Sequence, residues 1–208
     1  MKPHPALVSE IALPLFPLHT VLFPGGVLTL RIFEARYLDM VSACLKQDNG
    51  FGVCLIRSGS EVGQAADIYE TGTLTKITGW TQREDGLLGI TCRGEQRFRI
   101  RSQAPWPNGL LTGTVEMLSD APEQSAPARF QMLIELFKEL NERTGYHPPE
   151  TLQKTTQANW LSYRLAEVLP VELPEKQKLL EVDDALQRLE IIAAILGSAS
   201  NTSQDVEK

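Results

Sequence analysis

Histidine and cysteine are scarce in this chain, with three of each among 208 residues. The cysteines, Cys44, Cys54 and Cys92, show no C-x-x-C spacing, so the sequence writes neither a paired-cysteine metal site nor a redox dithiol. An odd set of isolated cysteines reads as buried free thiols in a reducing compartment, and the expected location is cytoplasmic. His4, His19 and His147 lie far apart beside prolines or loops, without ligand spacing, so no metal is expected. Nucleotide and hydrolase signatures are missing as well. There is no G-x-x-x-x-G-K-[ST] phosphate loop, no G-x-G-x-x-G after a strand, no H-E-x-x-H and no G-x-S-x-G. No run of about 18 apolar residues occurs, which argues against a membrane-spanning helix. Pro3, Pro5, Glu10, Pro14 and Pro17 interrupt the N-terminus where a secretory signal needs a continuous apolar region.

Positive charge is also short in one half. The formal net charge is -6. Residues 1–118 carry 11 Lys/Arg and 11 Asp/Glu, whereas residues 119–208 carry 9 and 15, so the second half supplies the whole deficit. Such a chain offers no electrostatic footprint for duplex nucleic acid, whose binding rests on neutralised phosphates.

What the sequence does have is a proline-punctuated apolar opening: Leu13-Pro14-Leu15-Phe16-Pro17-Leu18, then Val21-Leu22-Phe23-Pro24-Gly25-Gly26, then Leu28-Thr29-Leu30-Arg31-Ile32-Phe33-Glu34. Three prolines and a glycine pair rule out one helix or one long central strand. A buried strand, a Pro-Gly corner and a second strand leading into a helix fit instead. The helix is expected over 34–45, with Tyr37, Leu38, Val41, Cys44 and Leu45 on one side. Short strands are expected at 52–56, 72–78, 88–92, 96–101 and 110–117, with a Glu-Asp-Gly turn at 84–86. Many short strands with glycine turns suggest a barrel-like sheet that removes its own edges.

Composition changes near Ser119-Asp120-Ala121-Pro122, and the period becomes helical. Four helices are expected: one through Phe130, Leu133, Ile134, Phe137 and Leu140, ended near Thr144-Gly145 and Pro148-Pro149; one from Thr156 to Leu169 with Trp160, Leu161, Leu165 and Val168 inward; a short one started by Pro174; and one capped by Asp183 or Asp184 with Leu186, Leu189, Ile192 and Leu196 in its stripe. The expected domains are therefore 1–118, β-rich; 119–197, an α-helical bundle; and 198–208, a disordered tail.

Candidate binding residues fall in three places. Arg97, Arg99 and Arg101, with Arg93 nearby, alternate against Phe98 and Ile100; they read as a solvated sheet face or as a contact for carboxylates. Arg31, Phe33, Arg36 and Tyr37 sit at the strand-to-helix junction; Glu34 suits the helix dipole, so the segment reads as structural, or else Phe33, Arg36 and Tyr37 line a groove. Trp80 and Trp106 lie beside turns, as packing or as binding anchors. The candidate peptide-binding set is Arg31, Phe33, Arg36, Tyr37, Trp80, Arg97 and Arg99.

The opening run, together with Phe51-Gly52-Val53, Tyr69-Glu70-Thr71-Gly72-Thr73 and Arg93-Gly94-Glu95-Gln96-Arg97-Phe98 in order, resembles the N-terminal domain of Lon proteases over about residues 11–118. Asn159-Trp160-Leu161 and Glu175-Lys176-Gln177-Lys178-Leu179-Leu180 resemble the helical part of small bacterial proteins of that family. The resemblance implies an α+β fold: an N-terminal PUA-like β pseudo-barrel with one inserted helix, followed by a C-terminal α-helical bundle. It also implies recognition of unfolded or degron-bearing protein segments, with adaptor or chaperone-like work beside a separate protease as a sub-case. The family's ATPase phosphate loop and Ser-Lys protease have no counterpart in these residues, so no catalytic residue and no cofactor is carried over.

The expected function is thus a non-enzymatic protein- or peptide-binding module. Two alternatives stand beside it. One is RNA binding by analogy with other PUA-like folds, which the charge weighs against. The other is a small hydrolase with an unrecognised nucleophile, such as a Cys-His pair using His19.

Overall fold

The computed structural model describes residues 10–63, 66–144 and 154–204. The fold is α+β with a mostly antiparallel sheet. The chain divides into two compact units, Met1–Ser119 and Asp120–Lys208. His4, His147 and the Pro148-Pro149 stop lie outside the described residues.

In the first unit the elements are β1 (Glu10–Leu18), β2 (Val27–Ile32), α1 (Ala35–Gln47), β3 (Phe51–Ser58), β4 (Asp67–Ile68), β5 (Thr71–Gln82), β6 (Leu88–Pro105) and β7 (Leu111–Met117). The opening run folds as its prolines dictate. β1 is handed from one partner to another at Leu15: residues 10–15 pair antiparallel with β7, and residues 15–18 pair parallel with β3. Pro14 and Pro17 each lie where only one edge of the strand carries a ladder, so neither removes a bond that two partners need. The β1–β3 pairing closes a ring, β1-β7-β6-β5-β3-β1, with β2 added to β6 and β4 to β3. Inside it lie Leu13, Leu15, Cys54, Phe98, Ile100, Leu111 and Val115. A second core packs Tyr37, Met40, Val41 and Cys44 of α1 on Phe16, Phe51, Ile90 and Cys92.

The Pro24-Gly25-Gly26 corner docks on β6. The Gly25 N–H donates to the Gly94 carbonyl at 2.7 Å, and the Gly94 N–H to the Gly26 carbonyl at 2.8 Å. A Cβ at position 94 would stand 2.5 Å from the Phe23 carbonyl oxygen, so this approach requires glycine. The strands expected at 88–92 and 96–101 are one strand of 18 residues. Arg93-Gly94-Glu95 carries no chain reversal. It is where β6 slips in register against β5, between the Thr75–Gly94 and Thr73–Arg97 pairs. The slip also breaks the expected alternation, because Arg97 is buried beside Phe98 while Arg99 is half-buried and Arg101 exposed. Arg97 is therefore not part of a solvated arginine face.

The second unit has a short 3-10 turn (Ala128–Phe130) leading into α2 (Gln131–Thr144), then α3 (Ala158–Val168), α4 (Leu173–Glu181) and α5 (Ala185–Gln204). Pro174 sits in the first turn of α4, where its missing N–H costs nothing. Asp184 is the cap of α5: its Oδ1 accepts from the Gln187 N–H at 2.8 Å. Helix α5 carries the chain through Gln204, so the first part of the segment expected as a tail is helical. Leu133, Phe137, Leu161, Leu165, Leu179, Leu189 and Ile192 are buried, whereas Val168, expected inward, is exposed. Arg188 is also fully buried. It donates to Ser162 Oγ (2.7 Å), Tyr163 Oη (3.2 Å) and the carbonyls of Leu179 (3.1 Å) and Val182 (2.6 Å). Among the described residues no helix is long and apolar enough to cross a membrane.

Candidate functional site

Helix α1 crosses the face of the strand ring, and a hollow lies on either side of it. Its start is fixed by Glu34, the N-cap residue, whose side chain makes no capping hydrogen bond. The Glu34 carboxylate instead holds Arg36 at 2.9 Å. Arg36 is buried and also donates to the Gly109 carbonyl at 2.9 Å. Tyr37 stacks on Phe16 with ring centroids 4.0 Å apart. Burial raises the Tyr37 phenol above its ordinary pKa, with neighbouring Arg36 pulling the other way.

The smaller hollow, about 240 Å³, is lined in part by Phe16, Arg31, Phe33, Tyr37 and Val62. Three sequence candidates, Arg31, Phe33 and Tyr37, meet there. Arg31 is exposed and paired with Asp85 at 3.1 Å, and Phe33 is 54% exposed. Arg36 does not line this hollow, because its guanidinium is committed to Glu34 and Gly109. Trp80 is 67% exposed and lines neither hollow. Arg97, being buried, presents no side chain to a ligand, and Arg99 lies away from both hollows.

The larger hollow, about 630 Å³, was not anticipated in the sequence. Its floor follows from register. Ala12 lies opposite Thr114, which lies opposite Ser102; Pro14 lies opposite Thr112, which lies opposite Ala104. These six residues share the outer face of β1, β7 and β6, because Leu13, between Ala12 and Pro14, and Leu111 and Val115, flanking Thr112 and Thr114, are buried on the core side. All six are small, so the sheet surface is recessed. One wall is the side of α1 bearing Asp39, Met40, Ala43 and Gln47. The β6–β7 turn closes the end with Trp106, 60% exposed, and Asn108. That turn is tight: the Gly109 N–H donates to the Trp106 carbonyl at 2.8 Å, and Gly109 has φ +82°. Arg36 therefore ties the turn carrying Trp106 to the helix forming the wall. A cleft of this volume with neutral polar groups on small-residue strands is a typical ligand site.

Nucleophile chemistry finds no support in the geometry. All three thiols are buried. Burial pushes Cys44 and Cys54 up and Cys92 to about 12, so each stays protonated. Cys44 Sγ lies 3.5 Å from the Gly50 carbonyl, and His19 is exposed. The His19–cysteine pair is thus not formed. Among the described residues no group of three or more His, Cys, Asp or Glu is placed to hold a metal.

A family model for the ATP-dependent protease La (LON) substrate-binding domain matches residues 12–198. The Lon protease of Cytophaga hutchinsonii is 31% identical over 185 residues, which cover 85% of this chain and 23% of that protein. Lon protease 2 of Myxococcus xanthus is 27% identical, with 88% and 23% covered. The chain thus spans about a quarter of the length of these curated relatives. The crystal structure of a Lon N-terminal domain protein from Xanthomonas campestris superposes with a TM-score of 0.76 at 34% identity, covering 88% of this chain and 98% of that one. The N-terminal domain of Mycobacterium avium complex Lon protease shares the fold, with a TM-score of 0.61 at 19% identity, covering 88% and 96%. The chain belongs to the Lon substrate-binding domain family.

Proposed function

We propose that this member of the Lon substrate-binding domain family recognises extended segments of protein substrates, and that the cleft beside α1 is where it holds them. The observation that carries this reading is the recessed floor of Ala12, Pro14, Ser102, Ala104, Thr112 and Thr114 beneath α1 and Trp106. Small side chains leave room for the partner's own, while Ser and Thr hydroxyls and the amides of Gln47, Gln103 and Asn108 match a peptide backbone. The exposed indole of Trp106 supplies an anchor at one end.

The smaller hollow at Arg31, Phe33 and Tyr37 would extend the contact along the other side of α1. The closed ring of strand pairings supports reading the first unit as a PUA-like pseudo-barrel, and the helices of the second as a bundle. The role is non-enzymatic for these residues: the protonated, buried thiols support it, and any proteolysis that recognition serves would be carried out elsewhere.

The test is calorimetric titration with unfolded protein and with extended peptides. Saturable micromolar binding that Ala43→Trp abolishes, with the fold intact by circular dichroism, is the expected result. Ala43 is exposed on the cleft wall, so the larger ring fills the cleft and leaves the core alone. Binding untouched by that change would move the site elsewhere, and absence of binding would remove the reading.

A further inference from the structure

The charges around the larger cleft are one-sided. Among its described lining residues the only ionisable groups are Asp39 and the Cys44 thiol, and burial keeps that thiol neutral. No Lys, Arg or His lines it. Elsewhere in this unit several carboxylates have a basic neighbour: Glu34 has Arg36, Asp48 has Lys76, Asp67 has Arg57, Asp85 has Arg31 and Glu116 has Arg101. Among the described residues no ion pair or side-chain hydrogen bond reaches Asp39. It stands exposed on α1, on the wall of the cleft, as the carboxylate that lines it.

From this we infer that the cleft selects a segment bearing a basic side chain, lysine or arginine, whose charged end meets Asp39. The inference rests on the peptide-binding reading above and adds its specificity. A long aliphatic stem suits the floor. Ala12, Pro14 and Ala104 offer apolar surface along which methylene groups lie, while Met40 and Leu110 back the interior. The head group then has two attractors at the rim, the carboxylate of Asp39 and the π face of Trp106. An acidic side chain in the same place would meet repulsion from Asp39 and no compensating donor of positive charge. A neutral aliphatic one would fill the floor and leave the carboxylate unanswered.

The probe is a short unstructured peptide with one arginine between leucine and valine, compared with twins carrying citrulline, norleucine or glutamate at that position. Citrulline keeps the shape and hydrogen bonding of arginine and removes the charge. The arginine peptide is expected to bind at least about fivefold more tightly than the citrulline twin, the gap closing in Asp39→Asn and shrinking with added salt. Asp39→Lys should reverse the order, so that the glutamate peptide becomes the preferred one. Equal binding of arginine and citrulline peptides, or a preference that survives Asp39→Asn, overturns the inference while leaving peptide recognition standing. If no peptide of the set binds saturably, both the inference and the reading beneath it fail.

Discussion

The Arg36 guanidinium donates to the Gly109 carbonyl at 2.9 Å, joining the first turn of α1 to a tight turn 73 residues further along the chain. Glu34 neutralises the same guanidinium from the cap of the helix. One buried side chain therefore fixes both the start of the cleft wall and the turn that closes the cleft.

Arg36→Ala is expected to destabilise the protein by about 2–3 kcal/mol, since it strips a charge-assisted bond and leaves Glu34 unpaired. Arg36→Lys should recover only part of that, because an ammonium cannot present the forked donors that reach both partners. Urea denaturation measures both. A loss under about 0.5 kcal/mol for the alanine variant would mean that the turn is held by other contacts.

Gly94→Ala tests the docking of the Pro24-Gly25-Gly26 corner. The added carbon would meet a backbone carbonyl at 2.5 Å, and a backbone carbonyl cannot rotate away as a side chain does. The expected cost is about 2–4 kcal/mol, at the high end of overpacking. Gly86→Ala, in the open turn before β6, meets nothing within 4 Å but sits at φ +79°, so its smaller cost would report strain alone.

How far the sequence reads into this fold depends on whether the cause is local. The prolines of the opening run, the position of the helix after Glu34 and the start of α4 at Pro174 are dictated by covalent geometry and period, and each lies where those rules place it, although Leu38 and Leu45, expected on one side with Tyr37, Val41 and Cys44, are exposed. Arg97 and β6 do not obey local rules. The slip near Gly94 is imposed by the corner that docks there and by the change of pairing with β5, neither of which a period-two pattern contains. The cleft escaped for the same reason. Ala12, Ser102 and Thr114 look like unremarkable small residues until register sets them side by side. Arg188 gives no signal in the sequence, because its acceptors on α3 and at the end of α4 are brought to it only by the packing of the helices.

Arg188→Ala is expected to cost about 3–5 kcal/mol in the second unit, because the Leu179 and Val182 carbonyls and Ser162 lose a donor in a dry site. Tyr163 should couple to it, since the guanidinium lies 3.9 Å over the ring and donates to its hydroxyl, which in turn donates to Asp120. A double-mutant cycle of Arg188→Met and Tyr163→Phe should therefore be non-additive by more than about 0.5 kcal/mol. Additive losses would show that the two side chains act separately.

The buried thiols set a pH dependence with a definite sign. Their folded pKa values are raised by burial, Cys92 to about 12, while an unfolded thiol ionises near its ordinary value. Below that ordinary value both states hold the proton, and the thiols give no slope. Between it and the folded value only the unfolded state loses the proton, so stability falls as pH rises, by about 1.4 kcal/mol per pH unit for each such thiol. Cys92→Ala should flatten the decline from pH 9 upward, measured by urea denaturation, and an unchanged slope would remove Cys92 as its source. For Cys54 and Cys92, which line neither hollow, the same burial predicts no reaction with a thiol reagent at neutral pH until the chain unfolds.

Trp80 and Trp106 separate exposure from function. Both indoles are mostly solvent-exposed, at 67% and 60%, and of the two hollows beside α1 Trp106 lines the larger while Trp80 lines neither. Trp80→Ala should leave peptide affinity within about twofold and stability within about 0.5 kcal/mol, as for an ordinary surface site. Trp106→Ala should weaken peptide binding by tenfold or more at similar stability, in the range of an anchor residue. Because the ring of Trp106 stands at the mouth, its fluorescence in a Trp80→Phe, Trp160→Phe background, where it is the one remaining indole, should shift to the blue as a peptide covers it. Equal affinities for the two alanine variants would detach the turn from recognition, and would leave Arg31, Phe33 and Tyr37 on the other side of α1 as the place to look.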